Sequence, residues 1–582
     1  MQEVVFNHSF FGSRSGWRSA VEAASLPALI GFALLSLAWL LPGHYLPWTM
    51  FQQESLAAVG GLLLCWAAVE KSRRVAWPAP AAVALLTAFI PWVQFGFHEI
   101  RFLTDAFLAS AYMVALALSL VTAATLASGA RRHQFFDGWT ACCVTAALLS
   151  TGMALYQWLQ LPPVGDWLSQ VMPGGRVFAN LAQPNHLSSV LALGLAGVLR
   201  WYEKRRIGAA GAILAAVFLA WGIAMTESRT GWMFMAVLAV GTGVLRRRAQ
   251  LRTPLFAVVA GVLVFGAMVV LEGRLHALWT QSAVVAGVRT AVGTRAMHWP
   301  TLLDAAMQSP WVGYGWNQVA AAQYATALAH PATGEALMHS HNLLLDLVLY
   351  NGLPLGLLLF GLLVCWTGRA LWRCRSADAW CLLAALLALL AHAMVEYPLH
   401  YLYFLIPAGL TMGAVHTLVA SPDAPQTTGP RVTLWLPALL MLGALAWVGV
   451  EYMRAEEALR RLRFASARVG ITMAELRTPD LVLLDGWKAY HEAARLRSHP
   501  GMSAAEMELL KDVARRFPYP AALNRHAQAL VLNGQSAAGL EVLTHLCKVY
   551  PEGVQQVMRD AWQEQQAQDQ RLLAVAFPRC DR

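Results

Sequence analysis

Charge is what this sequence has least of. Of its 582 residues 13% are charged and 57% hydrophobic, whereas a soluble domain carries roughly 25% charged residues. With a mean hydropathy of +0.48, the shortage excludes an ordinary soluble enzyme and indicates a membrane protein. Carboxylates are scarcer than cations, 33 Asp and Glu against 43 Lys and Arg, for a formal net charge of +10. That excess suits basic cytoplasmic loops beside anionic lipid, and none of it reads as a nucleic-acid surface. The eight cysteines include no Cys-x-x-Cys pair and no zinc or iron–sulfur spacing. Only Cys547 and Cys580 lie in the polar tail, where they are free to form a disulfide if that tail lies outside the cytoplasm. No cleavable signal peptide is evident either. The first apolar run, Leu26 to Leu41, is followed by no convincing small-residue cleavage site and is expected to stay as the first membrane helix.

What is abundant is apolar sequence of spanning length. A helix crosses a bilayer in about 20 residues, and about thirteen candidates occur: 25–42, 50–69, 78–96, 104–127, 138–159, 184–200, 207–225, 230–245, 254–271, 342–366, 379–395, 401–419 and 433–452. Gly352 and Pro354 are expected to bend the tenth. Lys/Arg clusters follow the even-numbered spans, among them Arg73 and Arg74, Arg131 and Arg132, Lys204 to Arg206, Arg246 to Arg248, and Arg369 to Arg375. By the positive-inside rule these connections and the N-terminus face the cytoplasm. The connections 160–183, 226–229, 272–341 and 396–400, with everything after 452, then face outward.

The expected fold class is therefore all-α, a polytopic membrane protein with about 12–13 transmembrane helices. Its expected divisions are a cytoplasmic N-terminus (1–24), N-terminal transmembrane helices (25–271), a large periplasmic loop (272–341), C-terminal transmembrane helices (342–452) and a periplasmic helical domain (453–582). In that last part, residues 519–551 read as one helix–turn–helix unit of tetratricopeptide type.

The unusual polar residues fall on the outward connections. His339, His341 and Asn342 stand at the mouth of the apolar run from Leu343 to Trp366. A histidine pair at a membrane boundary suits proton handling or anion binding, and a plain helix cap explains the same residues. Asn180, Gln183, Asn185 and His186 run from structure-breaking Gly174-Gly175 into the start of the sixth span. Arg229 sits between two apolar helices, where a cation at mid-membrane costs roughly 2.5–3.5 kcal/mol and is usually paired or functional. Glu227 is its structural alternative. The 272–341 loop is long enough to carry function and holds Arg295, Trp299 and the Pro310 to Trp316 stretch, whose rings read as interfacial. Glu396, Tyr397 and His400 fall on the same side. Arginines without an acidic pair suit a bound phosphate rather than a hard metal ion, so a metal-dependent glycosyltransferase is disfavoured.

Taken together, Asn180 to His186, Ser228 to Gly231, Arg295 with Trp299, Pro310 to Trp316 and His339 to Leu343 resemble the O-antigen ligase superfamily. The Gln183-Pro184-Asn185-His186 form and Glu396-Tyr397-Pro398 resemble its bacterial O-linked protein oligosaccharyltransferase branch, of the pilin-glycosylating type. The resemblance runs from about residue 20 to 452. It implies an inner-membrane enzyme whose periplasmic site moves a preassembled glycan en bloc from undecaprenyl diphosphate to a Ser or Thr hydroxyl, with no metal or cofactor. Position by position, it implies His341 as the essential histidine, Arg229 and Arg295 as diphosphate ligands, and Tyr397 as a functional tyrosine. His339 is expected to share the role of His341. Asn180, Gln183, Asn185, Asn342 and Glu396 are expected to shape the site or contact glycan or acceptor. The implied partners are the lipid-linked oligosaccharide, a pilin-like acceptor protein and the bilayer. Three readings compete: the same chemistry on lipid A core or a growing repeat unit, a lipid or solute transporter, and a membrane scaffold. Polar residues crowded on one side count against transport, and a scaffold leaves the arginines and histidines idle.

Overall fold

The computed structural model describes residues 25–70, 72–172, 175–280, 295–421 and 427–580, with the side chains of Arg295 and Ala296 outside that set. These residues form twenty α-helices and one antiparallel two-stranded ribbon. In chain order the first nine helices are α1 Leu26–Leu40, α2 Phe51–Val69, α3 Ala79–Gly96, α4 Leu103–Ser128, α5 Arg132–Trp158, α6 Pro184–Glu203, α7 Ala209–Met225, α8 Arg229–Leu245 and α9 Leu255–Thr280. Two short helices follow, α10 Arg295–Gln308 and α11 Val319–Thr326. The bundle is completed by α12 Leu343–Arg373, α13 Ala377–Ala393, α14 Leu402–Val419 and α15 Val432–Ser466. Each of the thirteen expected spans is thus a helix, α1–α9 and α12–α15, and seven of these are long and apolar enough to cross a membrane. Large apolar side chains such as Phe256, Leu263 and Leu440 stand exposed on α9 and α15. In water such faces would drive aggregation; in a bilayer they meet lipid.

Local sequence sets the helix ends. Proline occupies the first turn of α1, α3 and α6, where its missing N–H costs nothing. Ser228, Asn342 and Ser376 cap α8, α12 and α13 through side-chain oxygens. Where α1 crosses α2, Gly31 and Gly60 face each other so closely that a Cβ on either would lie 2.8 Å from the other's carbonyl oxygen. Small residues of this kind let membrane helices approach without a hydrophobic driving force.

The two ends of the bundle differ in chemistry. At one end the basic connections are tied to carboxylates: Arg131 to Glu70 at 2.8 Å, Arg200 to Asp378 at 2.8 Å and to Asp137 at 3.1 Å, Lys204 to Asp378 at 3.0 Å. The ribbon lies here too, pairing β1 (Arg74–Ala76) with β2 (Thr428–Pro430). The sites singled out from sequence gather at the opposite end, called outer below.

α12 breaks at Gly352 (φ 76°), as the sequence leads one to expect. The break is filled by the Pro310 to Trp316 loop: Tyr314 N–H donates to Leu349 O and Leu353 N–H to Pro310 O, both at 2.7 Å. Gly313 and Gly352 permit this contact, because a Cβ on either would lie 2.4 Å from backbone of the other segment. The loop is therefore less interfacial than its rings suggest. Trp311 is 78% exposed, but Trp316 is buried and donates its indole N–H to Asn351 at 2.9 Å.

After the bilayer-length part, α15 continues without interruption to Ser466, and a helical domain follows: α16 Asp485–Arg495, α17 Ala504–Arg516, α18 Pro520–Leu532, α19 Ser536–Val549 and α20 Glu552–Gln568. α18 and α19 form the expected helical hairpin around Leu523, Ala527, Leu543 and Leu546, and a disulfide joins Cys547 to Cys580. The domain is bolted to the bundle. Asp485 accepts from Leu103 N–H, Thr104 N–H and the Thr104 hydroxyl at 2.8–2.9 Å, which caps α4. Arg516 forks onto Asp105 with two bonds of 2.7 Å.

Candidate active site

The outer site is built on the turn before α12. His341 has φ +58°, a left-handed conformation that a non-glycine residue holds only when its surroundings fix it. Four hydrogen bonds do so. Asn342 accepts from Leu345 N–H at 3.1 Å and donates to Met394 O at 3.0 Å. Ser340 N–H donates to Asp346 at 2.8 Å, and the Trp299 indole N–H donates to Ser340 O at 3.0 Å.

So held, His341 brings Nδ1 to 2.7 Å from Glu396 Oε2. The other carboxylate oxygen accepts from Asn185 Nδ2 at 3.1 Å. Asn185 Oδ1 in turn accepts from the Ser228 hydroxyl at 2.7 Å and from Arg176 at 3.4 Å. Arg176 also donates through Nε to Thr226 O at 2.8 Å. An ionised carboxylate only accepts, so the proton of the His341–Glu396 bond belongs on Nδ1 and leaves Nε2 as the basic nitrogen. Arg229 is exposed, one residue beyond Ser228 at the start of α8. Segments far apart in the chain are thereby joined by three side chains: Ser228, Asn185 and Glu396.

Aromatic rings form the rest of the wall. Tyr397 meets His341 edge-on at 4.8 Å and lies 4.6 Å from His339, which in turn lies 4.0 Å from His400. His400 contacts Asp346 at 3.2 Å. Burial, with the neighbouring His400 and His341, pulls the His339 imidazole well below its ordinary value, so it stays neutral. Burial and the Glu396 carboxylate push the Tyr397 phenol up, which keeps its proton on.

Of the residues singled out from sequence, His339, His341, Asn342, Glu396, Tyr397 and Asn185 come together. Asn180 lies behind them, fully engaged: it donates to Leu40 O and Trp167 O and accepts from Ser169 N–H. Gln183 precedes α6, and its buried Oε1 has no hydrogen-bond partner among the described residues. α10 begins at Arg295, whose side chain lies outside the described residues. Sequence reasoning passed over Arg176, although an arginine close before Asn180 in a nearly uncharged stretch was the available signal. Asp346 was also missed, since one carboxylate in an apolar run looks like a helix-start residue.

Beside this wall opens a cavity of about 1050 Å³ between α3, α4, α12 and α14. Its sides are apolar, with Leu108, Leu116, Leu347, Leu363, Leu405 and Met412 among them. Its outer end is polar, with His339, Tyr397 and His400.

Comparison with known proteins agrees with this geometry. A family model described as protein glycosylation ligase matches residues 177–201, which include Asn180 and Asn185. One described as O-antigen ligase matches 214–361, spanning Arg229, Arg295 and His341. A third, virulence factor membrane-bound polymerase, C-terminal, matches 380–565 and covers Glu396, Tyr397 and much of the outer domain. The general O-oligosaccharyltransferase of Acinetobacter baylyi is 28% identical over 541 residues, 90% of this chain and 92% of that protein. The ComP-specific O-oligosaccharyltransferase of the same organism is 26% identical over 397 residues, 66% of this chain and 70% of its own length. With the same motifs assembled at one end of a helical bundle, the chain is similar to O-antigen ligases and, over most of its length, to bacterial O-oligosaccharyltransferases.

Proposed function

We propose that the enzyme transfers a preassembled glycan en bloc from undecaprenyl diphosphate to a Ser or Thr hydroxyl of a pilin-like or other periplasmic protein. The observation that carries this reading is the relay from His341 through Glu396 to Asn185 and Ser228, beside Arg229. In the reaction, the acceptor hydroxyl loses its proton to His341 Nε2 as its oxygen bonds to the anomeric carbon. The bond from that carbon to the diphosphate oxygen breaks, and the electron pair leaves with the diphosphate. Glu396 supports the imidazolium that forms, as a carboxylate behind a catalytic histidine does. Arg229 and Arg295 bear the charge collecting on the leaving group. Tyr397 keeps its phenol protonated against the imidazole edge and positions it. No step calls for a metal or cofactor. The apolar cavity beside the site suits a polyprenyl tail.

The basic connections at the opposite end support an orientation with the site facing the periplasm across the inner membrane. A disulfide in the outer domain supports the same side, since disulfides persist in oxidising compartments. The protein glycosylation ligase description over 177–201 favours a protein acceptor. The O-antigen ligase description over 214–361 keeps lipid A core as the second reading.

Co-expression with a glycan locus and candidate pilin-like acceptors, followed by intact-protein mass measurement, separates them. The expected result is an acceptor heavier by one complete glycan. Glycan appearing on lipopolysaccharide core, with every acceptor unmodified, would overturn the protein-acceptor reading.

A further inference from the structure

The outer domain reaches into the cavity beside the active site. Arg516, the last residue of α17, lines the cavity's polar end together with Tyr350 of α12, His339 and His400. Two of its nitrogens, Nε and Nη2, are taken by Asp105, which also accepts from Gln318 at 3.1 Å. The third, Nη1, is buried and has no hydrogen-bond partner among the described residues. Tyr350 is 2% exposed, and its hydroxyl is likewise buried with no partner among the described residues. A buried donor left unmade is costly, and more so on a charged group. Two of them at the polar end of one apolar cavity are a built feature.

The donors also define what they want. Arg516 Nη1 can only donate, and the Tyr350 hydroxyl has its proton to offer, so both are satisfied by an acceptor oxygen. Because Asp105 already balances the guanidinium charge, the pair supplies directed N–H and O–H groups more than net positive charge. A ladder of rings ties this point to the reaction centre: Tyr350 to His400 at 6.2 Å, His400 to His339 at 4.0 Å, His339 to Tyr397 at 4.6 Å and Tyr397 to His341 at 4.8 Å. An apolar channel ending in oxygen-seeking donors matches a long isoprenoid whose head is a phosphate.

We infer that Arg516 and Tyr350 bind a phosphate oxygen of the polyprenyl diphosphate whose tail occupies the cavity, so that the outer helical domain completes the donor site. This rests on the donor class proposed above and adds residues that the family motifs do not contain. The domain, on this account, is part of the enzyme's substrate machinery as well as a candidate docking surface for acceptors.

Tyr350→Phe is the cleanest probe, because it removes one oxygen that has no protein partner and leaves the ring in place. Binding of undecaprenyl diphosphate, without glycan, is measured on the purified full chain in detergent. Undecaprenol, which lacks phosphate, serves as the comparison lipid. The expected result is about ten-fold weaker binding of the diphosphate lipid to Tyr350→Phe and to Arg516→Lys, with undecaprenol binding unchanged. A Tyr350→Phe protein that binds the diphosphate lipid as the wild type does overturns the inference. So does a wild-type protein that binds neither lipid, or an equal loss for both lipids. If the wild type binds the diphosphate lipid in a Tyr350-dependent way but moves no glycan, the inference stands and the proposed reaction falls.

Discussion

Two arginines in low-dielectric surroundings, one near each end of the bundle, show how differently the same residue is used. Arg200, at the basic end, is 3% exposed, with Nε bonded to Asp378 and Nη1 to Asp137, Thr140 and the Phe136 carbonyl. Arg516, at the outer end, is anchored by Asp105 through two nitrogens and keeps a third with no partner among the described residues. The contrast extends to their surroundings. At the basic end, ion pairs tie the connections between helices together. At the outer end the backbone is held left-handed at His341, a histidine is oriented by a carboxylate, and buried donors wait for an acceptor. On the proposed reading, one end locks the fold and the other serves chemistry.

The comparison can be broken in several ways. The largest effect belongs to His341→Ala, expected to lower transfer by about 10²–10⁴-fold, the range for loss of a general base. Turnover per folded molecule, with thermal stability recorded alongside, checks it. Arg200→Met is the mirror experiment. It removes the guanidinium from Asp378 and Asp137, which keep Lys204 and Arg206 as partners, costs about 1–3 kcal/mol of stability, and leaves turnover of the folded fraction unchanged. Denaturation in detergent, read against activity, distinguishes the two arms. A turnover loss in Arg200→Met without destabilisation would erase the division between the ends.

A smaller effect is expected at Glu396→Gln, which keeps the shape but removes the charge behind His341. Loss of such an outer partner typically costs about 10–100-fold, and the pH–rate profile should move because the imidazolium is less supported. An unchanged profile would make Glu396 a structural residue.

The smallest effect concerns acid. His526 and His545 are buried in the α18–α19 hairpin, and burial lowers both to about 4. The unfolded chain takes up these protons near pH 6.5 and the native domain only near 4. Stability is therefore fully present above 6.5 and declines as pH falls through that window, by at most roughly 3 kcal/mol for each histidine. Limited proteolysis of the outer domain between pH 7 and 4.5 should show progressive loosening, flattened in His526→Gln. Protection that is constant across the range would contradict the assignment.

Hydropathy and the positions of Lys and Arg carried much of the fold: thirteen helices, seven of them of spanning length, and the bend at Gly352 follow from composition and from Gly352-Leu353-Pro354. Motif order likewise pointed to His341, Glu396, Tyr397 and Asn185. What sequence could not reveal was partnership. Nothing in the letters distinguishes Arg200, bonded to two carboxylates, from Arg516, bonded to one, because the difference lies in residues about 60 to 410 positions away. Arg176 and Asp346 were hidden for the same reason. Trp316 looked interfacial because its neighbours Trp311 and Tyr314 are aromatic, yet its indole fills the break in α12.

The central claim is that reaction takes place at the end away from the basic loops. Sealed membrane vesicles of defined sidedness, loaded with undecaprenyl-diphosphate glycan and given an acceptor protein only on the outside, test it directly. Right-side-out vesicles should glycosylate the added acceptor and inside-out vesicles should not. Glycosylation by inside-out vesicles alone would place the chemistry at the basic end and contradict the account.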